Sequence, residues 1–317
     1  MRVIAVHQTG MVAPHEIWHA WSWEPAVVLG LAAAALIYSL GIARLWKEAG
    51  RGRSVGLWRA GCLAAGLLTL GLALLSPLDS LAETLFSAHM VQHLLLMLVA
   101  PPLLVLGAPS RVALWSFPFH TRRSAGLWWH QRREFRRILA RFSSPAVAWV
   151  LAVVILLLWH VPGWYQAALS SESLHAAEHL SFLLTGYLFW WVLLRPDGRR
   201  RLNRPASVLY LFAAALPSGL LGALLTFAGR PLYPAQSLGA PLWGLTPLED
   251  QQLAGLIMWM PGGLIYLCTA AGFFLAWLRQ DDLGTYRPDV VTELNAPAGM
   301  ALVADTLWNI PPQQREI

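Results

Sequence analysis

Five histidines in the 317-residue sequence have the spacing of metal ligands. His89 and His93 are four positions apart, His175 and His179 repeat that spacing, and His160 stands alone between the pairs. Residues four apart share one face of an α-helix. Two imidazoles placed in this way can bind one ion, and imidazole suits copper, zinc and iron. The spacing therefore predicts a metal site, with a hydrogen-bonded polar core and haem ligation as alternatives.

A peptidase pattern overlaps the second histidine pair. His175-Ala-Ala-Glu178-His179 matches H-x-x-E-H, in which the glutamate is the general base of a zinc peptidase. Such a short pattern arises easily by chance, and no other segment resembles a peptidase. Glu178 can equally fix the tautomer of a ligand histidine. We therefore expect that the protein is not an enzyme.

These histidines belong to long apolar segments. The chain is 56% hydrophobic and 13% charged, whereas soluble domains carry about 25% charged residues. A membrane-spanning helix needs about 20 apolar residues. Seven segments qualify, at residues 26–45, 57–75, 88–108, 146–164, 177–194, 206–228 and 252–278. The sequence predicts an all-α, polytopic integral membrane protein with about seven transmembrane helices.

The charged residues predict the orientation of these helices. Arginine and lysine concentrate after the first, third and fifth segments, and the alternate connections contain Arg230 as their strong base. Cytoplasmic loops carry the excess of arginine and lysine. We therefore expect the N-terminus outside and the C-terminus inside. In this orientation the five histidines lie at the extracytoplasmic ends of three successive helices.

The topology divides the chain into three regions. They are an extracytoplasmic N-terminal segment at 1–24, a membrane domain at 25–280 and a cytoplasmic tail at 281–317. The basic loop 110–145 is typical of amphipathic helices on the anionic inner leaflet, so membrane lipid is an expected partner. The net charge of +6 is concentrated in such connections. No basic face with stacking aromatic residues remains, which excludes nucleic acid as a partner.

Several segments of the chain resemble a known family. They are SPLDSLAETLFSAHMVQHLLLMLVAPPLLVLGAP, WHVPGWYQAAL, LHAAEHLSFLLTGYLFWW and EDQQLAGLIMWMPGGLIY. They are similar to segments of the seven-span cytochrome c oxidase assembly factors of the CtaG type. The resemblance covers about residues 20–280. The first segment is the most specific, because His-Met-x-x-His is followed by Pro-Pro and Leu-Gly-Ala-Pro.

The resemblance implies a role in the maturation of haem–copper oxidase in the bacterial inner (plasma) membrane, at the oxidase's extracytoplasmic copper centre or nearby. Copper is then the expected ion, and the expected partners are cytochrome c oxidase subunits and a periplasmic copper donor. The candidate ligands that match the family's motifs are His89, His93, His160, His175 and His179, with Asp79, Asp250 and Met258 as second candidates.

Two other classes of membrane protein remain as alternatives. A membrane oxidoreductase or haem-binding, cytochrome-b-like protein predicts histidines that face each other near the middle of the membrane. A metal permease predicts ligands that continue along a path through the membrane. In the sequence, the histidines of the apolar segments instead concentrate at one end of the predicted helices.

Overall fold

The computed structural model describes residues 12–50, 52, 55–194, 202–233 and 236–285. Residues 1–11 of the predicted N-terminal segment, including His7, and residues 286–317 of the predicted tail lie outside the described residues. One compact unit ends at Phe273 and contains all five candidate histidines. The second unit, from Phe274, is helical as far as Thr285.

The described residues form α-helices and a few single turns, and they contain no strand. In chain order, the helices are α1 (Pro25–Ala49), α2 (Leu57–Leu74), α3 (Pro77–Thr84), α4 (Phe86–Leu94), α5 (Ala100–Leu106), α6 (Pro109–Trp115), α7 (Phe119–Gln131), α8 (Arg133–Phe142), α9 (Pro145–Trp159), α10 (Pro162–Leu169), α11 (Glu172–Leu194), α12 (Arg204–Thr226) and α13 (Pro247–Thr285).

Six helical segments are long and apolar enough to cross a membrane. They are Pro25–Glu48, Leu57–Leu74, Phe86–Leu106, Glu172–Leu194, Arg204–Thr226 and Pro247–Arg279. A seventh exists if α8 and α9, which meet at a bend of 58°, form one broken span. The all-α, polytopic fold is therefore confirmed for the part of the chain that the structure describes. Which end of the bundle faces the cytoplasm stays a prediction.

The fourth predicted segment, 146–164, is shorter in the structure than in the sequence pattern. Helix α9 has 15 residues, or about 22 Å at the rise of an α-helix. The helix stops because Pro162 follows, and a residue before proline avoids the helical region. Val161 is extended for this reason and begins α10. His160 consequently caps α9 at a break in the chain.

The outside of the bundle is apolar and its interior holds polar groups. Leu29, Leu209 and Leu220 are each 67–71% exposed. Apolar surface of this extent is unusual on a water-soluble monomer but suits lipid tails. The buried polar residues include histidines, Glu178 and Asp250. Ionisable groups at membrane depth usually face the bundle interior and serve a function.

The third span changes geometry where its prolines begin. A π turn at Leu95–Val99 separates α4 from α5. Pro101 has no N–H to donate to the carbonyl of Met97, one turn earlier. That carbonyl accepts a hydrogen bond from Trp190 Nε1 of α11 instead, at 3.1 Å. Turns of this kind occur frequently at functional sites, and this one follows the first histidine pair directly.

Short elements close one end of the bundle. Helix α3 contacts the 3₁₀ segment Gln236–Trp243, and the described N-terminal residues join both. The N–H of Val12 donates to Thr84 Oγ1 at 3.1 Å, and Trp243 Nε1 donates to the Val12 carbonyl at 3.0 Å. These contacts form a cap beside the start of α4, the helix that carries the first histidine pair.

Candidate metal centre

Helices α4 and α11 bring the two histidine pairs together. The ring centroids lie 4.2 Å apart within each pair, His89–His93 and His175–His179. Between the helices, the ring of His89 is 5.6 Å from that of His175 and 5.9 Å from that of His179. The pairs that the sequence predicted thus face each other across a helix–helix contact. We call these four residues the histidine cluster.

Glu178 lies in the middle of this cluster. Its Oε1 is 3.6 Å from His93 Nε2 and 4.0 Å from His89 Nε2. The side chain is fully buried, and neither carboxylate oxygen has a hydrogen-bond partner among the described residues. Buried carboxylates are normally paired or coordinate a metal. The H-x-x-E-H spacing predicted Glu178 only as a peptidase base or as a tautomer-fixing partner, and not as a ligand itself.

The donor atoms form two overlapping sets. One consists of His89, His175 and His179, and the other of His89, His93 and Glu178. In each set the potential ligand atoms lie within 4.8 Å of one another. His89 is common to both sets. An ion bound by either set would therefore share this imidazole, which makes His89 the centre of the arrangement.

Unpaired nitrogens test whether the cluster fits a metal ion. His89 Nε2, His179 Nε2 and both ring nitrogens of His93 are buried without a hydrogen-bond partner among the described residues. Each buried polar group left unpaired costs about 1–3 kcal/mol. A hydrogen-bonded polar core would have satisfied these atoms. Imidazole nitrogens with carboxylate oxygens are instead a donor set that transition metals use, so the residues fit an ion.

His160 lies beside the cluster and outside both donor sets. Its Nδ1 is 2.7 Å from the Leu156 carbonyl oxygen, so Nδ1 carries the proton and donates. Its Nε2 lone pair then faces Met90 Sδ at 3.4 Å. The ring centroid is 6.2 Å from that of His93. The backbone hydrogen bond fixes the tautomer in the way that partners of metal-binding histidines do.

Asp250 binds the backbone of α4. Its Oδ2 accepts from the N–H of Phe86 at 2.8 Å, and its Oδ1 accepts from the N–H and the hydroxyl of Ser87 at 3.0 and 2.5 Å. The first N–H groups of a helix lack partners within it, and the helix dipole favours an anion there. The structure therefore makes Asp250 a positioning residue, which fixes the start of the helix that presents His89 and His93.

Asp79, in α3, also lies outside both donor sets. Its Oδ1 accepts from Gln92 Nε2 at 2.7 Å, and the same Nε2 donates to the Ala73 carbonyl at 2.8 Å. Burial raises the pKa of the Asp79 carboxyl, while the hydrogen bonds from Gln92 and Ser22 lower it to a smaller degree. Asp79 thus ties α3 to the third span.

Aromatic rings cover the cluster from the side of the cap. Phe86, Tyr165 and Tyr233 pack with centroids 4.8–5.4 Å apart, and Tyr165 is 5.4 Å from His89. Burial raises the pKa of Tyr233 to about 12 and also that of Tyr165. Both phenols therefore keep their protons at neutral pH, and Tyr233 donates to the His160 carbonyl at 2.5 Å.

Comparison with known proteins agrees with the resemblance seen in the sequence. The profile of the cytochrome c oxidase caa3 assembly factors matches residues 36–280. The chain belongs to this family. No solved structure matches the chain.

Relatives of this assembly-factor chain occur in mycobacteria. Uncharacterized proteins of Mycobacterium bovis and Mycobacterium tuberculosis are each 29% identical to it over 279 residues, which are 85% of this chain and 41% of the relative. An uncharacterized protein of Mycobacterium leprae is 28% identical over 274 residues, which are 83% of this chain and 40% of the relative. The chain thus spans about two fifths of the length of the curated relatives it matches.

The assembly-factor match includes every candidate ligand predicted from the sequence. The structure divides these residues by their surroundings. The histidine cluster shares one buried site, His160 and Met258 lie beside it, and Asp79 and Asp250 hold the neighbouring helices.

Proposed function

We propose that this assembly-factor chain binds copper in the histidine cluster on the extracytoplasmic side of the bacterial inner membrane. It would supply the ion for the copper centre of cytochrome c oxidase. The observation that carries the proposal is that four imidazoles and the buried Glu178 carboxylate form two donor sets that share His89. The oxidase subunits and a periplasmic copper donor are the proposed partners, and the ion is cargo that enters and leaves.

Copper is the ion that the donor types favour. Among divalent first-row metals, copper binds a given nitrogen and oxygen site most tightly. Imidazole accepts both oxidation states of copper, and soft thioethers favour Cu(I). Met90 Sδ lies 3.4 Å from His160 Nε2 at the edge of the cluster. This neighbour adds a soft ligand on the side of His93, which supports copper over zinc or iron.

The site supports a non-catalytic role. A zinc peptidase needs Glu178 to act on a water beside a substrate, so a cleft must admit the peptide. Glu178 is instead fully buried, and rings of Tyr165 and Phe86 cover the cluster. The cavity beside His93 has a volume of about 40 Å³. A peptide substrate does not fit such a space.

The same dimensions count against the haem alternative. Pockets for organic ligands usually measure about 300–1,000 Å³, several times the volume of the cavity beside His93. The rings of His89 and His179 are also in close proximity, with centroids 5.9 Å apart. A macrocycle between histidines of α4 and α11 would therefore require the two helices to separate.

The basic loop supplies the proposed contact with lipid. Helix α8 exposes Phe135, Ile138, Leu139 and Phe142, which share a face at helical spacing. Arginines occupy the intervening positions of this helix. An apolar face flanked by arginine suits the boundary of an anionic leaflet. With this contact, α8 would lie on the cytoplasmic side, opposite to the histidine cluster, in agreement with the predicted orientation.

The test is oxidase assembly in cells. The natural host, deleted for its own copy, would produce the chain with His89→Ala and His179→Ala, and with His130→Ala as the control, because His130 is exposed in α7. We expect the double variant to accumulate in the membrane while cytochrome c oxidase activity and its copper absorption fall at least about tenfold. Wild-type oxidase activity in the double variant would contradict the proposal.

A further inference from the structure

A second group of metal-binding side chains adjoins the histidine cluster on the side of the π turn. We propose that Met90, Met97, Met258 and His160 form a Cu(I) site that exchanges its ion with the histidine cluster through His93. The inference rests on the proposed function, since the cluster must first take up the ion. We call these four residues the thioether site.

The thioether site surrounds a cavity inside the bundle. Met90, Met97, Met258, His93 and His160 all line a space of about 40 Å³. A cavity needs about 10–15 Å³ to hold one water molecule. An ion therefore fits among these side chains without displacement of a helix.

The donors come from different parts of the chain and meet at this cavity. Met90 belongs to α4, Met97 to the π turn, Met258 to α13, and His160 caps α9. Methionine often fills gaps in apolar cores, so a single sulfur would carry little weight. Here Met90 Sδ already lies 3.4 Å from His160 Nε2, whose other ring nitrogen donates to a backbone carbonyl. Thioether and imidazole together select Cu(I).

Local structure fixes the position of Met97. The Met97 carbonyl accepts from Trp190 Nε1, as described above. A Cβ at position 186 would lie 2.9 Å from the Met97 carbonyl oxygen, so only Gly186 allows α11 to approach this closely. The π turn is therefore held from α11, the helix that also carries His175 and His179.

His93 connects the two sites. It contributes to the donor set with His89 and Glu178 and also lines the cavity of the thioether site. Both of its ring nitrogens lack a hydrogen-bond partner among the described residues. In the exchange, the ion remains Cu(I): one ligand bond breaks as another forms at His93, and no electron is transferred. His93 is thus the side chain that the two sites share.

Along the two adjoining cavities, Met97 is the last residue of the described chain that offers a soft ligand. A smaller cavity of about 20 Å³ follows, and it shares Met97, Leu156 and Tyr266 with the first. Its other walls are apolar or aromatic and include Val153, Trp149 and Phe189. The described part of this path offers no further sulfur or imidazole. The thioether site therefore holds an ion at the end of a short route, which differs from the continuous path of a permease.

The test is Cu(I) titration of the purified full chain in detergent under anaerobic conditions. A chromophoric Cu(I) chelator would report affinity, and copper K-edge X-ray absorption would report the ligands. We expect the first equivalent to show nitrogen ligands and the second to add sulfur. Met97→Leu with Met258→Leu, which conserves side-chain volume, should reduce the sulfur signal to the contribution of Met90 and weaken the second equivalent about 10–100-fold. Met260→Leu, on the same helix but 57% exposed, is the control.

The possible results separate the two proposals. Nitrogen-bound copper without any sulfur ligand, or a sulfur signal unchanged in the Met97/Met258 variant, would overturn the thioether site and leave the proposed function intact. A sulfur-bound ion in a chain whose histidine cluster binds no copper would contradict the proposed function and the exchange through His93. The inference would be supported if both equivalents showed their expected ligands and if the double variant alone showed a reduced sulfur signal.

Discussion

Replacement of Glu178 by glutamine distinguishes two roles of this residue, that of a metal ligand and that of a structural carboxylate. The glutamine side chain would keep the shape of the original and one oxygen donor but lose the negative charge. In the protein without metal, this charge is buried and its oxygens lack hydrogen-bond partners among the described residues. The burial of a carboxylate whose oxygens accept no hydrogen bond opposes folding. We therefore expect the metal-free E178Q variant to be at least as stable as the wild type.

The effect on copper binding should have the opposite sign. Glu178 Oε1 lies 3.6–4.0 Å from the two imidazole nitrogens that would share the ion. Unit charges about 4 Å apart interact by about 4 kcal/mol at an effective dielectric constant of 20. Loss of a group that supports a metal site usually costs 10–100-fold in affinity, or about 1.4–2.8 kcal/mol. The Glu178 charge acts at short range, so we expect a loss near 100-fold.

Thermal melting with and without copper measures both effects. The metal-free melting temperature of E178Q should equal or exceed that of the wild type, and the increase caused by copper should shrink. Glu172→Gln is the matched control, because Glu172 is exposed at the start of the same helix. A metal-free E178Q variant of lower stability, with an unchanged copper-induced increase, would refute the reasoning and assign Glu178 a structural role.

Three further variants test the framework. Asp250→Ala should lower the free energy of unfolding by at least about 2 kcal/mol, because hydrogen bonds to a charged acceptor are lost; a stable variant that binds no copper would instead make Asp250 a ligand. Burial raises the pKa of Asp79, so its ionisation opposes folding as the pH rises above the ordinary value of 3.8. The Asp79→Asn variant should therefore have a higher melting temperature than the wild type at about pH 7 but not at about pH 3. An equal difference in melting temperature at both pH values would contradict this. Gly186→Ala should lower the free energy of unfolding by about 1–3 kcal/mol because its Cβ meets the Met97 carbonyl. Gly219→Ala, in α12 and with no atom within 4 Å of its Cβ, should melt at or above the wild type, since alanine favours a helix interior over glycine.

The sequence could predict what depends on composition and local spacing. The low charge content and the apolar segments predicted the all-α membrane fold, and the four-residue spacing predicted each histidine pair. The position of His160 at a helix end was harder to predict from the sequence, since Pro162 shortens the helix that ends there. The apolar run continues past that point, and hydropathy alone does not register the break.

The roles of distant residues could not be predicted. Asp250 and the first N–H groups of α4 are more than 160 positions apart, and only tertiary packing reveals that this carboxylate caps the helix. The contact between α11 and the π turn that follows α4 likewise depends on Gly186 and on the hydrogen bond from Trp190. Glu178 was visible within a pattern, but whether it meets water, a backbone or two imidazoles is decided by the neighbouring helix.

The central claim is that imidazoles of α4 and α11 bind one copper ion together. The most direct test is the copper content of the purified chain after dialysis against one equivalent of copper, measured by mass spectrometry. We predict about one ion in the wild type and in His130→Ala, and almost none in His89→Ala with His179→Ala. Equal copper content in the double variant and the wild type would contradict the claim.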